Sequence, residues 1–81
     1  MPSGVHSKAH RALAETIRTL RERAKLTQDE FGKACGHDKT WVSRIETGAG
    51  SFNPHELPRM AKALQTTLPK FVKLWMALLD A

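Results

Sequence analysis

Apolar residues recur along the first third of the chain with the period of an α-helix. Leu13, Ile17, Leu20 and Ala24 are separated by steps of four and three, and charged residues stand around them. This spacing places the four side chains on one face of a helix and leaves the opposite face polar. The pattern predicts a first helix from about Lys8 to Lys25.

A second, short helix is predicted to begin at Gln28. Thr27 and Glu30 have the spacing of a capping box, in which the hydroxyl serves the N3 amide and the carboxylate reaches back to the cap amide. Gly36 can adopt the left-handed conformation that ends a helix and turns the chain sharply. The predicted inner face of this helix consists of Phe31, Ala34 and Cys35.

A third helix is predicted to follow the turn at once. Asp38 is a favourable N-cap residue, and Val42 and Ile45 form an inward pair at a spacing of three. This helix should run to about Thr47 and stop at Gly48. Two short helices joined by a tight, glycine-containing turn form a helix-turn-helix, the arrangement that lays a recognition helix in the major groove of DNA.

After a loop at residues 49–52, a fourth helix is predicted from the start signals in Asn53-Pro54-His55-Glu56. Pro58 lacks the amide that would bond back to residue 54, and its ring crowds the preceding turn. We therefore expect a loose first turn or a later start of the helix. The inward residues are predicted to be Leu57, Met60, Ala61 and Leu64.

The last predicted helix runs from Leu68 to about Leu79, is capped by Thr67 and carries a wide apolar band. Because a chain this short has too small a core to bury the whole band, we expect a second copy of the chain to cover it. The alternative is that the band only closes the core of one chain. The predicted dimer interface consists of Phe71, Leu74, Trp75 and Leu78.

The composition fits a small basic domain. The 81 residues carry a net charge of +5 and have a pI near 9.9, and this length allows one compact core. We expect a flexible N-terminal arm at residues 1–8 and a single domain at residues 9–81. The positive balance favours polyanions, either nucleic acid or an acidic membrane surface.

Cys35 is the only cysteine, and no cluster of Cys and His has the spacing of metal ligands. We therefore expect no disulfide, no metal and no other cofactor, and a reducing cytoplasm as the compartment. The N-terminal residues lack an apolar signal core, and the apolar run Leu74–Leu79 is too short to span a bilayer. No membrane attachment is expected.

The polar residues of the third helix are the candidates for reading DNA. Because Val42 and Ile45 face inward, Lys39, Thr40 and Arg44 lie on outer faces of the helix. Lysine and arginine can donate to guanine O6 and N7, and threonine can offer a hydroxyl or pack its methyl group on thymine. The predicted base-contacting residues are Lys39, Thr40, Ser43 and Arg44.

Phosphate contacts are expected mainly near helix N-termini, where amides, hydroxyls and the helix dipole attract anions. Trp41 could lay its ring along the sugar-phosphate edge, or it could instead pack on the second helix. The predicted phosphate-contacting residues are Thr27, Gln28, Trp41 and Thr47.

Two stretches carry a family resemblance: Leu26-Thr27-Gln28-Asp29-Glu30-Phe31 and, after Gly36, Asp38-Lys39-Thr40-Trp41-Val42-Ser43-Arg44-Ile45-Glu46-Thr47-Gly48. They resemble the phage repressor and Cro-like (Xre-type) helix-turn-helix family, and the likeness extends from about Ile17 to Phe71. Within it, the Asp-Lys-Thr-Trp-Val-Ser stretch, the short length and the long last helix resemble those of controller proteins of restriction-modification systems.

The resemblance implies an all-α, five-helix, repressor-like DNA-binding domain. It also implies that Gln28 binds a phosphate, that Lys39, Thr40 and Arg44 face base edges, and that Arg21 pairs with Glu46. The sequence departs from the family pattern at three positions. The family usually has an aliphatic residue in place of His37, Leu or Ile in place of Cys35, and no proline in place of Pro58.

The leading hypothesis is a sequence-specific regulator of transcription that binds double-stranded DNA, a homodimeric repressor whose third helix reads operator half-sites. One alternative is an antitoxin that neutralises a partner toxin and represses their shared operon; another is a protein-interaction module without DNA binding. No catalytic residues are predicted, because the sequence offers no nucleophile with a base, no phosphate-cradling loop and no carboxylate pair.

Overall fold

The computed structural model describes residues 8–48 and 53–80, and these residues form five α-helices. Their order is α1 (Lys8–Arg23), α2 (Gln28–Ala34), α3 (Lys39–Glu46), a short 3-10 turn (Pro54–Glu56), α4 (Leu57–Ala63) and α5 (Leu68–Asp80). The predicted all-α, five-helix fold is confirmed. The predicted loop at residues 49–52 and most of the predicted arm lie outside the described residues, and Lys8, assigned to that arm, already belongs to α1.

One apolar core holds the helices together. Helix α1 packs against α5 and α3, while α2 packs against α3 and α4. Burial of this apolar surface is the main force that stabilises the domain. The buried apolar cluster consists of Leu13, Ile17, Phe31, Cys35, Val42, Ile45, Met60, Ala61, Leu64 and Phe71.

The predicted start of α2 is confirmed. The Glu30 amide donates to the Thr27 hydroxyl (3.0 Å), and the Glu30 carboxylate accepts from the Thr27 amide (2.8 Å). The inner face differs from the prediction at one position, because Ala34 is exposed and Gly32 is buried. A helix turns about 100° per residue, so a face centred on Cys35 includes residues 31 and 32 and leaves residue 34 outside it.

The start of the fourth helix is delayed, as the sequence predicted. Asn53 and Glu56 form a capping box, which here begins the 3-10 turn, and α4 itself starts at Leu57. Pro58 therefore stands in the first turn of α4, where a missing backbone amide leaves no helical hydrogen bond broken. Met60, Ala61 and Leu64 are buried as predicted, and Leu57 is partly buried against the core.

Helix α5 closes the core with part of its apolar band. Phe71 is 0% exposed, so the prediction that it contributes to a dimer surface is wrong; it is a core residue of the single chain. Trp75 packs edge-on against Phe71, and its indole N–H donates to the Ala9 carbonyl (3.1 Å) at the start of α1. Leu74 and Leu78 remain partly exposed, one turn apart on α5.

Candidate nucleic-acid interface

Helices α2 and α3 meet at a close backbone contact. Gly36 has φ 78°, and the His37 amide donates to the Gly32 carbonyl (2.8 Å), which completes the turn that ends α2. The Asp38 carboxylate caps α3 by accepting from the Trp41 amide (3.0 Å). A Cβ atom at Gly32 would lie 2.6 Å from the Asp38 carbonyl oxygen, so α2 approaches the start of α3 closely.

The predicted base-contacting residues share one surface of α3. Lys39, Thr40 and Arg44 are exposed and Ser43 is partly exposed, whereas Val42 and Ile45 are buried. The four polar residues form two pairs at a spacing of four, 39 with 43 and 40 with 44, which places them side by side on a helix. This surface presents two cations and two hydroxyls, the groups that read base edges.

The predicted phosphate-contacting residues already take part in contacts within the chain. The Thr27 hydroxyl belongs to the capping box, the Gln28 side-chain amide donates to Glu46 (3.2 Å), and the Thr47 hydroxyl donates to the Arg44 carbonyl (2.9 Å). Trp41 is partly buried, and its ring centre lies 6.1 Å from that of Phe31 in α2. The packing alternative for Trp41 is therefore observed, and its phosphate contact stays a prediction.

A buried carboxylate fixes α3 against α1. Glu46 is 4% exposed, and Arg21 contacts both of its oxygens, with Nε 2.6 Å from Oε2 and Nη2 3.0 Å from Oε1. The predicted Arg21–Glu46 pair is thus present. This hydrogen bond is the main reason why the pKa of Arg21 lies above its usual value.

Two further residues join this pair, and sequence reasoning did not assign them to it. Arg18 donates to the Glu46 backbone carbonyl (3.1 Å), and Gln28 donates to the Glu46 carboxylate. Arg18 precedes Arg21 by three residues, a spacing that places both on one side of α1, so a signal for Arg18 was available. A cation beside the last carbonyls of α3 also complements the helix dipole.

A second polar contact, between His37 and Glu56, was also missed. The His37 imidazole Nε2 is hydrogen bonded to the Glu56 carboxylate, and its ring stacks on Trp41 with centres 4.0 Å apart and planes 7° from parallel. The contact with His37 is the largest cause that holds the pKa of Glu56 below its usual value. The two residues are 19 positions apart, and no local sequence signal joins them.

Cys35 has the character of a core residue. Its side chain is buried, and burial raises the pKa of its thiol to about 11. A thiol with so high a pKa is almost entirely protonated at neutral pH and is a poor nucleophile. Within residues 8–48 and 53–80, no three acidic, Cys or His side chains are grouped to hold a metal ion. No helix in the same two segments is long and apolar enough to cross a membrane.

Known structures share this arrangement of helices. The wild-type restriction-modification controller protein C.Esp1396I superposes with a TM-score of 0.86 at 18% identity, covering 94% of this chain and 100% of that chain. The same protein, solved as a tetramer in complex with its natural 35 base-pair operator, gives a TM-score of 0.84 at 18% identity, over 94% of this chain and 100% of that chain. The clp gene regulator ClgR from Corynebacterium glutamicum gives 0.82 at 18% identity, over 89% and 77%.

Sequence comparison identifies relatives as well. Control protein C.SmaI from Serratia marcescens is 30% identical over 60 residues, which cover 74% of this chain and 71% of that protein. A cyanate hydratase from Coprinopsis cinerea is 31% identical over 67 residues, and the match spans 83% of this chain but only 42% of that enzyme.

The family described as Helix-turn-helix domain matches residues 12–71, which include most of α1, all of α2 to α4 and the start of α5. This match covers most of the chain, and it agrees with the similarity to the C.SmaI control protein. The chain therefore belongs to the helix-turn-helix domain family and is of the Xre type, as the resemblance of its sequence implied.

Proposed function

We propose that this protein is a sequence-specific regulator of transcription that binds double-stranded DNA and acts as a homodimeric repressor. The observation that carries the proposal is the polar surface formed by Lys39, Thr40, Ser43 and Arg44 on a helix whose opposite face is buried. An α-helix with such a face fits the major groove, where donor and acceptor patterns distinguish all base pairs. The net charge of +5 favours the approach of a polyanion.

Relatives support this proposal. One structural neighbour was solved in complex with its natural operator, and another is described as a gene regulator. Carried over to this chain, those descriptions favour operator binding. For a homodimer, helix-turn-helix geometry then sets two half-sites about one helical turn apart, each met by α3 of one copy. Gln28, Thr27, Thr47 and Trp41 remain the proposed phosphate contacts.

Selection of bound duplexes from a randomised pool tests the proposal. The purified protein is incubated with the pool at about 0.15 M salt, where non-specific electrostatic binding is already weakened. Enrichment of a two-fold symmetric motif is the expected result. If no sequence is enriched, specific readout by this chain is rejected, and binding to a partner toxin or another protein becomes the better hypothesis.

Replacing Arg44 by alanine should relax the preference at one base pair in each half-site and weaken operator binding by about 1 to 3 kcal/mol. Gln28→Ala should instead weaken all duplexes alike, because a phosphate contact carries no base information. Arg23→Ala removes the same charge from the exposed end of α1 and is the matched control. Affinities are measured against every single-base variant of the operator; a uniform loss for Arg44→Ala would contradict its assignment to a base edge.

The proposed dimer places the α5 helices of two copies against each other through Leu74, Trp75 and Leu78. Leu78→Lys should raise the dimer dissociation constant at least roughly tenfold, since burial of a leucine contributes about 1.5 to 3 kcal/mol. Met76→Lys is the control, because Met76 is exposed on the other side of α5. Sedimentation equilibrium measures the dimer dissociation constant of both variants. If the two constants are equal, the interface lies elsewhere.

We further propose that the protein acts by binding and without catalysis, in the cytoplasm. We also propose that α1 to α5 form one domain, and that the N-terminal arm ends before Lys8, where α1 begins. The buried, protonated Cys35 thiol supports the absence of thiol chemistry. Assay of the purified protein against nucleic acid, with hydrolysis of the bound duplex as the readout, tests the non-catalytic role.

A further inference from the structure

A side-chain hydrogen bond joins the turn of the helix-turn-helix to the 3-10 turn that precedes α4. Glu56 uses one carboxylate oxygen to bind His37 Nε2, and its other oxygen accepts from the Asn53 amide (3.3 Å). His37 and Glu56 are 33% and 25% exposed, so solvent competes with this contact less than at an open surface. A hydrogen bond to an ionised carboxylate is also stronger than one between neutral groups.

The same histidine supports the first turn of α3. Its ring covers Trp41 at 4.0 Å between centres, and Trp41 is also packed near Phe31. Lys39 and Thr40, proposed to contact bases, immediately precede Trp41 on the same helical turn. Contacts of the Trp41 ring with both His37 and Phe31 therefore help to fix the helical turn from which these two side chains reach DNA.

We propose that His37 and Glu56 are positioning residues for DNA reading: Glu56 orients His37, and His37 holds Trp41 and the first turn of α3. This inference rests on the proposed function. It concerns a feature of this chain, since the family resemblance led us to expect an aliphatic residue at position 37. This chain has a polar, stacked contact where the resemblance predicts apolar packing.

Loss of the His37 contact should lower the specificity of DNA binding more than the general affinity for DNA. Base contacts require the side chains of α3 to meet particular base edges, whereas phosphate attraction tolerates small displacements. His37→Leu should lower the ratio of affinities for the selected operator over an unrelated duplex by roughly tenfold, the factor that about 1.4 kcal/mol represents. Affinity for the unrelated duplex should change by less than about twofold, because its electrostatic basis remains.

Three other variants separate positioning from general destabilisation. Glu56→Gln keeps an acceptor for the Asn53 amide, as a capping box allows, but removes the charge that binds His37. His37→Gln keeps an amide donor near the Nε2 position and should recover part of the specificity that His37→Leu loses. His55→Gln changes an exposed histidine in the neighbouring 3-10 turn and should have no effect.

The experiment measures duplex selection by the full chain first, and then both affinities for each variant. Near-UV circular dichroism in a Trp75→Phe background reports on Trp41, the other of the two tryptophans. The expected result is a reduced specificity ratio and a weakened Trp41 signal in His37→Leu and Glu56→Gln, with intermediate values for His37→Gln. Thermal unfolding identifies any variant that does not fold; if His37→Leu fails to fold, Glu56→Gln decides.

Two results would overturn the positioning role while the proposed function stands. In the first, the wild-type chain selects an operator, and the variants keep the wild-type specificity ratio and the wild-type Trp41 signal. The second is an equal loss of affinity for both duplexes, which signals general destabilisation. A wild-type chain that selects no sequence rejects the proposed function itself, and this inference with it.

Discussion

Arg21→Ala is expected to lower the free energy of unfolding by about 3 kcal/mol, near the lower end of what breaking a buried ion pair costs. The substitution leaves the Glu46 carboxylate, whose side chain is 3% exposed, without its bidentate partner. Arg18 Nε, 3.8 Å from Glu46 Oε1, keeps part of the compensation, which is why we expect the lower end. Urea denaturation followed by circular dichroism measures the change.

The pair is best tested as a cycle. Arg21→Ala combined with Glu46→Ala should be less destabilising than the sum of the two single changes, since the double variant leaves no buried charge without a partner. Arg18→Ala is the matched control: its side chain is 46% exposed, and its loss should cost no more than about 1 kcal/mol. Strict additivity of the two single changes would show that the contact contributes no coupling, contrary to the geometry.

Operator binding by Arg21→Ala should weaken even where the protein remains folded. Glu46 is the last residue of α3, and Arg21 joins it to α1 while also donating to the Leu26 carbonyl (2.8 Å) just before α2. One guanidinium thus joins α1 to the last residue of α3 and to the segment that leads into α2. A buried pair of this kind adds more to the fixed orientation of α3 than to net stability, because desolvation offsets much of the attraction.

The sequence predicted best what depends on neighbouring residues. The caps formed by Thr27, Asp38 and Asn53 and the left-handed turn at Gly36 each follow from residues within three positions, and the structure has all of them. The delayed start of α4 followed in the same way from the known steric demands of Pro58. Local backbone chemistry therefore located the helices before any packing was known.

Contacts between distant parts of the chain were predicted poorly. Arg21 and Glu46 are 25 residues apart, and only the family resemblance paired them. Nothing in the sequence indicated that His37 would meet Glu56. Phe71 was assigned to a dimer surface because the helical period shows which residues share a face, but not how deeply a neighbouring helix covers it. Depth of burial is decided by packing among all five helices.

Packing between helices also explains why Gly32 is buried and Ala34, predicted to face inward, is exposed. This position leads to a prediction in which the change in stability has the opposite sign to that expected from helix propensity. By intrinsic helix propensity, Gly32→Ala inside α2 should stabilise the protein by up to about 1 kcal/mol. The structure predicts the opposite, because the added Cβ would lie 2.6 Å from the Asp38 carbonyl oxygen and 2.8 Å from its carbon. These are backbone atoms at the cap of α3 and cannot rotate away as a side chain would. We expect a net loss of about 2 to 3 kcal/mol in the free energy of unfolding, typical of overpacking.

Gly32→Ala should also lower the specificity ratio, the affinity for the operator over that for an unrelated duplex, by more than the loss of stability explains. Relief of the contact requires the Asp38 cap to move away from α2, and α3 begins at the next residue. Gly36→Ala is the matched control: the atoms nearest to its Cβ would be those of the flexible Arg59 guanidinium at 3.4 Å, and its φ of 78° costs about 1 to 2 kcal/mol. Unfolding in urea and the specificity ratio are measured for both variants. A Gly32→Ala protein more stable than wild type would mean that α2 and α3 do not approach as closely as described, since propensity would then have outweighed the contact.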